Sequence, residues 1–370
     1  MRSCADGASP RESDCQSKAP TTLGGGGGDG CCQRDQSSSG VAVRKTSGRL
    51  GYRDILGGWG VRWGFRRMRY RVVPGLYAIG EPTPDSPVLV TANYKLTFDA
   101  LRRELKGIPA WILVLDTQGV NVWCAAGKGT FGTMELVRRL TETQLDRHVR
   151  HRTLVLPQLG ATGVSGHEIH ARTGWCVVWG PVLARDVPTF LANGWKKTQS
   201  MRVISFRLYD RAVLAPIEIV HAFKWFVAFV LAIAVFSMPM DKAYWSRVLG
   251  MELLATASFF AGTVAFPLLL PFLPFRAFAL KGLTLGLVAI LSAGLLAVAT
   301  LKTPVLPLAA VGMPGVAIVV WLAMNFTGCT TFTSQTGAAL ELKLAWKPLL
   351  ALAAAGLVLA VAMLMANLFA

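Results

Sequence analysis

The chain of 370 residues carries 38 Lys and Arg against 21 Asp and Glu, a formal net charge of +17, yet 52% of it is hydrophobic and its mean hydropathy is +0.44. That pairing argues against a nucleic-acid binder and for a basic soluble domain joined to spans that contact membrane lipid. Seven cysteines in no framework spacing, with no secretory signal, point to a reducing compartment without disulfides.

Residues 1–69 read as a disordered N-terminal extension. Gly24 to Gly28 is a homopolymer, and Ser37-Ser38-Ser39-Gly40 continues the flexible composition. Cys4, Cys15, Cys31 and Cys32 lie here, and the vicinal Cys31-Cys32 is a pattern that can hold a soft metal. A plain disordered tail is the simpler reading, with Met68 as an alternative first residue. The basic, aromatic stretch from Trp59 to Arg71 reads as a solvated extension, with acidic lipid as the competing partner.

From 70 to 212 short apolar runs alternate with helical patterns. Val88 to Thr91 is a strand, and Thr97 is placed to cap a helix over Phe98 to Lys106 that Gly107 ends. Ala110 to Thr117 is the next strand, followed by a glycine-rich segment and a helix from Met134 to about Leu145. Thr153 to Leu156 and Cys176 to Trp179 are two further strands. Ser165 opens one helix, and another runs from Ala184 to Ala192. This alternation predicts an α/β domain, a parallel sheet with helices on both faces. Thr91, Thr117, Gln158, Leu159, Gly160, Gly180 and Pro181 then fall at strand exits and are expected to line one crevice, where open α/β sheets bind ligands.

Residues 213–370 read as an all-α transmembrane domain. Five apolar stretches, about His221 to Met240, Leu253 to Phe275, Gly282 to Leu301, Val305 to Phe326 and Pro348 to Ala370, approach the ~20 residues needed to cross a bilayer. Lys196, Lys197, Arg202, Arg207 and Arg211 precede the first, which places the α/β domain in the cytoplasm. The polar run Asn325 to Thr333 sits at a membrane edge and reads as an interfacial loop or as the lining of a passage.

The chemistry centres on Asn121-Val122-Trp123-Cys124-Ala125-Ala126-Gly127-Lys128, between the strand ending at Thr117 and the helix from Met134. It is not a phosphate loop, because Gly129 follows Lys128 and Val122 stands where the first glycine belongs. Gly127-Lys128-Gly129-Thr130-Phe131-Gly132 comes one strand too late for a dinucleotide fingerprint. No histidine lies near enough in sequence to act as base to Cys124. A buried structural cysteine is the plain alternative. His167-Glu168-Ile169-His170 lacks a third zinc ligand, and Cys176 reads as core. Asp146 to His151 is similar to the Asp-x-His-x-x-Gly motif of one cobalamin family but has His151 in place of its glycine.

The eight residues Asn121 to Lys128 resemble the cap-helix signature of the corrinoid protein of mercury methylation, the HgcA family, itself related to the corrinoid iron–sulfur protein of the acetyl-CoA pathway. The likeness runs from about Tyr70 through the spans. It implies a Rossmann-like corrinoid-binding domain in which Cys124 is the lower axial ligand of cobalt, in cobalamin or a related corrinoid. Asn121, Val122, Trp123, Ala125, Ala126, Gly127 and Lys128 then form the cap, and Thr91, Thr117, Gln158, Gly160 and Gly180 take part in binding the cofactor. The implied activity is a corrinoid-dependent methyltransferase that moves a methyl group from methyl-Co(III) to Hg(II). A membrane-anchored methyl carrier of one-carbon metabolism is the alternative, and a non-catalytic sensing domain the remaining one. No Cys-x-x-Cys occurs, so no iron–sulfur cluster is expected in this chain. The resemblance implies a ferredoxin-like [4Fe-4S] electron donor of the HgcB type and an upstream methyltransferase as partners. It also implies a multi-pass position in the cytoplasmic membrane of a prokaryote.

Overall fold

The computed structural model describes residues 43–237, 244–326 and 335–369. The first 42 residues, with Cys31 and Cys32, and the polar run beyond Phe326 lie outside the described residues. The chain divides into two compact units. One holds the residues up to Val61 together with Phe65–Ile204, and the other holds Arg62–Gly64 together with Ser205–Ala370.

The first unit is built on a six-stranded sheet. Its strands are β1 (Arg44–Thr46), β2 (Gly75–Ile79), β3 (Val88–Ala92), β4 (Ala110–Leu115), β5 (Thr153–Leu156) and β6 (Cys176–Trp179), in the order β1-β2-β4-β3-β5-β6. The four strands expected from sequence are mutually parallel, with β3 between β4 and β5. The sheet is mixed rather than wholly parallel, because β2 runs antiparallel to β4 and β1 pairs with β2. β2 escaped the sequence reading because Gly75 and Ala78 give it weak strand propensity and no helix separates it from β3. The chain leaves β3 toward β4 on one side and later returns to β5 on the other. The exit of β3 is therefore the switch point of the sheet, the place where such folds bind ligands.

Helices cover both faces: α1 (Tyr52–Arg62), α2 (Lys95–Glu104), α3 (Val122–Gly127), α4 (Thr133–Thr143), α5 (Gly166–Thr173) and α6 (Val187–Ala192). Successive strand residues serve opposite cores. Leu76, Val90, Leu113 and Leu154 meet Leu136 and Leu140 of α4 and Ile169 of α5. Leu89, Ile112, Val155 and Val178 meet Phe98 and Leu101 of α2 and Phe190 of α6. Burial on both faces is why these strands read as continuous apolar runs. The expected cap on α5 is present, since Ser165 Oγ accepts from Glu168 N at 3.3 Å. Thr97 does not cap α2. That helix starts earlier, at Lys95, whose N–H donates to Tyr70 O.

The disordered extension expected to residue 69 is corrected for residues 43–69, which hold β1, α1 and a 3-10 turn over Arg67–Arg69. Charge pairing anchors them. Asp54 of α1 accepts from Lys95 Nζ at 2.6 Å and from Arg102 Nη2 at 2.8 Å, and Asp99 accepts from the same two residues at 2.7 Å each. Buried Arg102 also donates to the carbonyls of Ser47 and Arg49 at 2.9 and 3.0 Å. A segment with one acidic residue among many basic ones reads as solvated tail by composition. That acid is placed against buried Arg102 and half-buried Lys95 only in the fold.

The second unit is helical: α7 (Leu208–Ala212), α8 (Ala215–Phe236), α9 (Tyr244–Phe260), α10 (Phe278–Leu296), α11 (Val305–Asn325) and α12 (Gln335–Phe369). A π-helical turn, Ala261–Ala265, extends α9 into Phe266–Leu269, and another, Ala297–Leu301, extends α10. The unit begins before residue 213 because α7 belongs to it: buried Arg211 donates to Leu268 O. Among the described residues five helical stretches are long and apolar enough to cross a membrane: Leu208–Val235, Tyr244–Leu269, Phe278–Leu301, Val305–Asn325 and Gly337–Ala366. The second lies N-terminal to its expected place because Pro271 and Pro274 fall in the turn after Leu269, where prolines end a helix. Small residues let α10 and α11 approach closely. A Cβ at Gly282 would sit 2.7 Å from Ala323 Cβ and 2.9 Å from Val320 Cα.

Burial opposes ionisation of Asp54, but the hydrogen bonds from Lys95, Arg102 and the Gly51 N–H outweigh it and bring its pKa to about 2. A carboxylate held below its ordinary value stabilises the fold above about pH 4 and loses that contribution as pH falls through 2. Replacing Asp54 by Asn is expected to cost about 1–3 kcal/mol at neutral pH by chemical denaturation of the full chain in detergent. The gap between wild type and variant is expected to close as pH is lowered from 4 to 2.

Candidate functional site

The site is assembled at the exits of β3 and β4. β3 ends at Ala92, and the next residue, Asn93, is 1% exposed. Its side-chain oxygen accepts from Thr117 N at 3.1 Å and from Gly119 N at 2.9 Å, while its amide donates to Asp116 Oδ1 at 3.0 Å. The Thr117 hydroxyl lies 2.9 Å from that oxygen and 2.6 Å from Val120 O. Asn93 N in turn donates to Leu115 O at 3.0 Å. The loop after β4 turns through Gln118 and Gly119, both at positive φ, and this carboxamide satisfies its inward-facing N–H groups. Glu135 of α4 supports the same turn by accepting from Asp116 N at 2.8 Å.

The loop delivers the chain into the six-residue α3. Asn121 caps it, accepting from Cys124 N at 2.9 Å. Val122, Ala125 and Ala126 turn inward and are buried. Beneath them, Ala125 O accepts from the N–H groups of Thr130 and Phe131, and the Phe131 ring is fully buried. A Cβ at Gly163 would lie 2.9 Å from Ala126 Cα, so the cap rests directly on backbone. Trp123, Cys124, Gly127 and Lys128 form the outward face. The thiol of Cys124 is exposed, which sets aside the buried-cysteine alternative. Gly127 is helical, and a Cβ there would meet open space. Neither the backbone nor the packing of this unit requires glycine at that outward position, although glycine costs a helix about 1 kcal/mol relative to alanine.

Beside the cap lies a cavity of about 430 Å³, bounded by α2, the exits of β3, β5 and β6, and the start of α6. Thr91, Asn121, Val122, Trp123 and Gly180 are among its lining, with Leu159 and Pro181. Three residues expected there have other tasks. Thr117 is wholly buried in the turn. Gln158 accepts from Lys197 Nζ at 2.7 Å. Gly160 is small because the Phe131 ring passes behind it, Cε1 falling 2.5 Å from where a Cβ would be. Strand-exit position alone does not say which way a residue faces. Asn93 and Glu135 were missed in sequence. A polar residue placed directly after the apolar run of β3 was the available signal for Asn93.

Three of the five histidines make local contacts. His148 packs on Trp111 with ring centroids 5.4 Å apart, and His151 Nε2 is 3.0 Å from Ser86 O. His170 Nδ1 lies 3.7 Å from the sulfur of Cys176, which is buried. Among the described residues no group of three or more His, Cys, Asp and Glu is placed to hold a metal ion.

Residues 66–191, about a third of the chain, match the family model of the CO dehydrogenase/acetyl-CoA synthase delta subunit. The gamma subunit of the acetyl-CoA decarbonylase/synthase complex of Archaeoglobus fulgidus is 37% identical over 131 residues, covering 35% of this chain and 27% of that protein. The same subunit of Methanopyrus kandleri is 38% identical over 122 residues, covering 32% and 26%. The corrinoid/iron-sulfur protein large subunit of Moorella thermoacetica is 32% identical over 122 residues, covering 32% and 27%. These residues are related to the corrinoid protein of the acetyl-CoA pathway. The broader part of the sequence resemblance is thereby shown. The chain spans only about a quarter of the length of these relatives, and the stretch that matches the family model, residues 66–191, lies in the α/β unit and includes the cap helix.

Replacing Asn93 by Ala would leave the buried N–H groups of Thr117 and Gly119 without an acceptor. The expected loss is about 1–3 kcal/mol for each stranded group, read by denaturation of the full chain. Asn121→Ala is expected to cost about 0.5–2 kcal/mol through loss of the cap.

Proposed function

We propose that the α/β unit binds a corrinoid against the outer face of α3 and serves as a methyl carrier in one-carbon transfer, anchored to a membrane by the helical unit. One observation carries the reading. Within a segment related to a corrinoid/iron-sulfur large subunit, a capped helix presents a single exposed thiol, Cys124, beside an apolar cavity at the switch point of the sheet.

The residues present fit such a group. Cys124 is a lone sulfur donor directed outward, and the identity of an axial ligand is a principal lever on a macrocycle-bound metal. The outward Gly127, bare where a Cβ would meet nothing, leaves room for close approach. A bound corrinoid supplies a cobalt centre that accepts and releases a methyl group. The chain does the rest. Cys124 would hold the cobalt through its sulfur, Asn121 fixes the pitch of the helix that carries it, and Val122, Ala125 and Ala126 seat that helix on the core. Trp123, Thr91 and Gly180 shape the adjoining cavity, and Lys128 closes the outward face at the end of the cap. Asn93 holds the loop from which the cap departs. Neighbouring Cys-x-x-Cys ligands are absent from the sequence, so reducing electrons come from a separate ferredoxin-like [4Fe-4S] protein and the methyl group from a separate methyltransferase. Basic residues before the first apolar helix favour a cytoplasmic α/β unit on the cytoplasmic membrane.

A second reading makes Hg(II) the acceptor, and the Asn-Val-Trp-Cys-Ala-Ala-Gly-Lys cap with its exposed Cys124 favours it. Hg(II) is an electrophile, so the methyl group must leave with electrons. A sulfur donor supplies electron density that histidine supplies less well, a physical reason for cysteine at 124.

The anaerobic visible spectrum of the cobalamin-loaded full chain, wild type beside Cys124→Ala, tests the ligand. A charge-transfer shift confined to the wild type is expected. Binding with identical spectra would remove the axial role of Cys124, and no binding at all would overturn the corrinoid reading. With a [4Fe-4S] ferredoxin and a methyl donor supplied, methyl transfer to Hg(II) and to a thiol acceptor is then compared. Under the mercury reading, Cys124→His lowers methylmercury formation about tenfold or more, a barrier rise of roughly 1.4 kcal/mol. Wild-type activity in that variant would defeat the argument from sulfur, and faster transfer to the thiol would favour the one-carbon carrier.

A further inference from the structure

Helix α1 (Tyr52–Arg62) reverses the usual order of a surface helix, which buries its apolar stripe and exposes its charges. Its inward side holds Asp54, Gly57, Gly58 and Val61. Asp54 meets Lys95 and Arg102, and the Tyr70 hydroxyl donates to Asp54 O at 3.3 Å. A Cβ at Gly57 would fall 2.6 Å from that hydroxyl, so the helix backbone lies directly against Tyr70. At ~100° per residue, Tyr52, Ile55, Leu56 and Trp59 project from the opposite side. Trp63 and Phe65 continue the apolar run just past the helix end. All six are exposed, Tyr52 by 67% and Leu56 by 64%. The inward side fixes the helix, and the outward side is more apolar than folding requires.

The surroundings of this face carry one sign of charge. Asp54 is the sole acid between residues 43 and 71, and it is turned inward. By helical spacing Arg53 and Arg62 flank the apolar stripe on either side, and exposed Arg66, Arg67 and Arg69 follow the helix. Aromatic and aliphatic side chains bordered by arginine are the composition of helices that lie in a membrane interface. There indole and phenol rings sit at headgroup level and cations meet lipid phosphates. A nucleic acid would answer the arginines and leave Ile55 and Leu56 in water. The chain itself brings this helix to a bilayer. Arg62–Gly64 belong to the helical unit, and a Cβ at Gly64 would lie 3.3 Å from Ile217 Cδ1 and 3.6 Å from Val220 Cγ1, early in α8. That helix lies in the first long apolar stretch, Leu208–Val235. The end of α1 is therefore fixed near the start of that stretch, and docking on the same bilayer becomes an intramolecular event. We infer that the outward face of α1 docks on an anionic bilayer surface, with Tyr52, Leu56 and Trp59 in the interface and Arg53, Arg66 and Arg67 on lipid phosphates. The inference rests on reading the helical unit as the membrane anchor.

The test places the full chain in lipid nanodiscs of phosphatidylcholine alone or with phosphatidylglycerol added. Side-chain exposure is read by hydroxyl-radical footprinting and mass spectrometry. Oxidation of Tyr52 and Trp59 is expected to be about threefold or more lower in the anionic discs. Raising the salt to about 1 M, where charges are screened beyond ~3 Å, should restore part of it. The triple variant Arg53→Gln, Arg66→Gln, Arg67→Gln should lose the difference between the two discs at unchanged melting temperature. Leu56→Ser, at an outward position, should weaken the protection as well. Equal oxidation in both discs would overturn the inference, as would a difference that survives in the folded arginine variant. Equal protection in detergent would overturn it too, by showing that protein covers the face, either a second copy or another segment of this chain. A chain that leaves the discs altogether would defeat the anchor reading along with this one. A chain that stays in them with Tyr52 and Trp59 unprotected would defeat this inference alone.

Discussion

The α/β unit depends on one buried carboxamide. Asn93 stands where β3 ends, and it answers the backbone of the loop leaving β4. Two strand exits are thereby held in one register, and the cap helix departs from that register. A carboxamide suits the task because it offers an acceptor and a donor on one rigid plane, so it meets the N–H groups of Thr117 and Gly119 and the Asp116 carboxylate together. A carboxylate would lose the donor and set two negative charges side by side. An apolar side chain would strand the loop's buried N–H groups.

From that anchor the placement of Cys124 follows in short steps. The loop turns, Asn121 caps, three apolar residues seat the helix on Phe131 and on the backbone of Gly163, and the remaining face is left to the outside. None of these contacts involves the sulfur. A helix this short has little stability of its own, so its rigidity is borrowed from the cap and the seat. The thiol can therefore face outward on a firm support.

In the helical unit the governing constraint is close packing of small residues. Gly282 admits α11 against α10, and Gly315 does the same toward Ser258 of α9.

Much of this was legible in sequence because local physics dictated it. Strands buried on both faces read as unbroken apolar runs, Gly107 follows its helix at positive φ, and five long apolar stretches stand out by composition alone. The eight residues from Asn121 to Lys128 marked the cap through their resemblance to a known cap-helix signature, while the Asn121 hydrogen bond and the inward set Val122, Ala125 and Ala126 came from the structure. Tertiary structure decided what depends on partners far along the chain. Asp54 turns an apparent tail into part of the fold because Lys95 and Arg102, more than forty residues away, are held within reach of it. β2 joins the sheet because β4 offers an edge that its own weak propensity does not announce. Thr117, Gln158 and Gly160 occupy strand exits and yet face a turn, a lysine and a phenylalanine ring. Periodicity tells which element a residue belongs to. Where its side chain points at a strand exit is set by backbone dihedrals and by neighbours that meet only when the sheet closes.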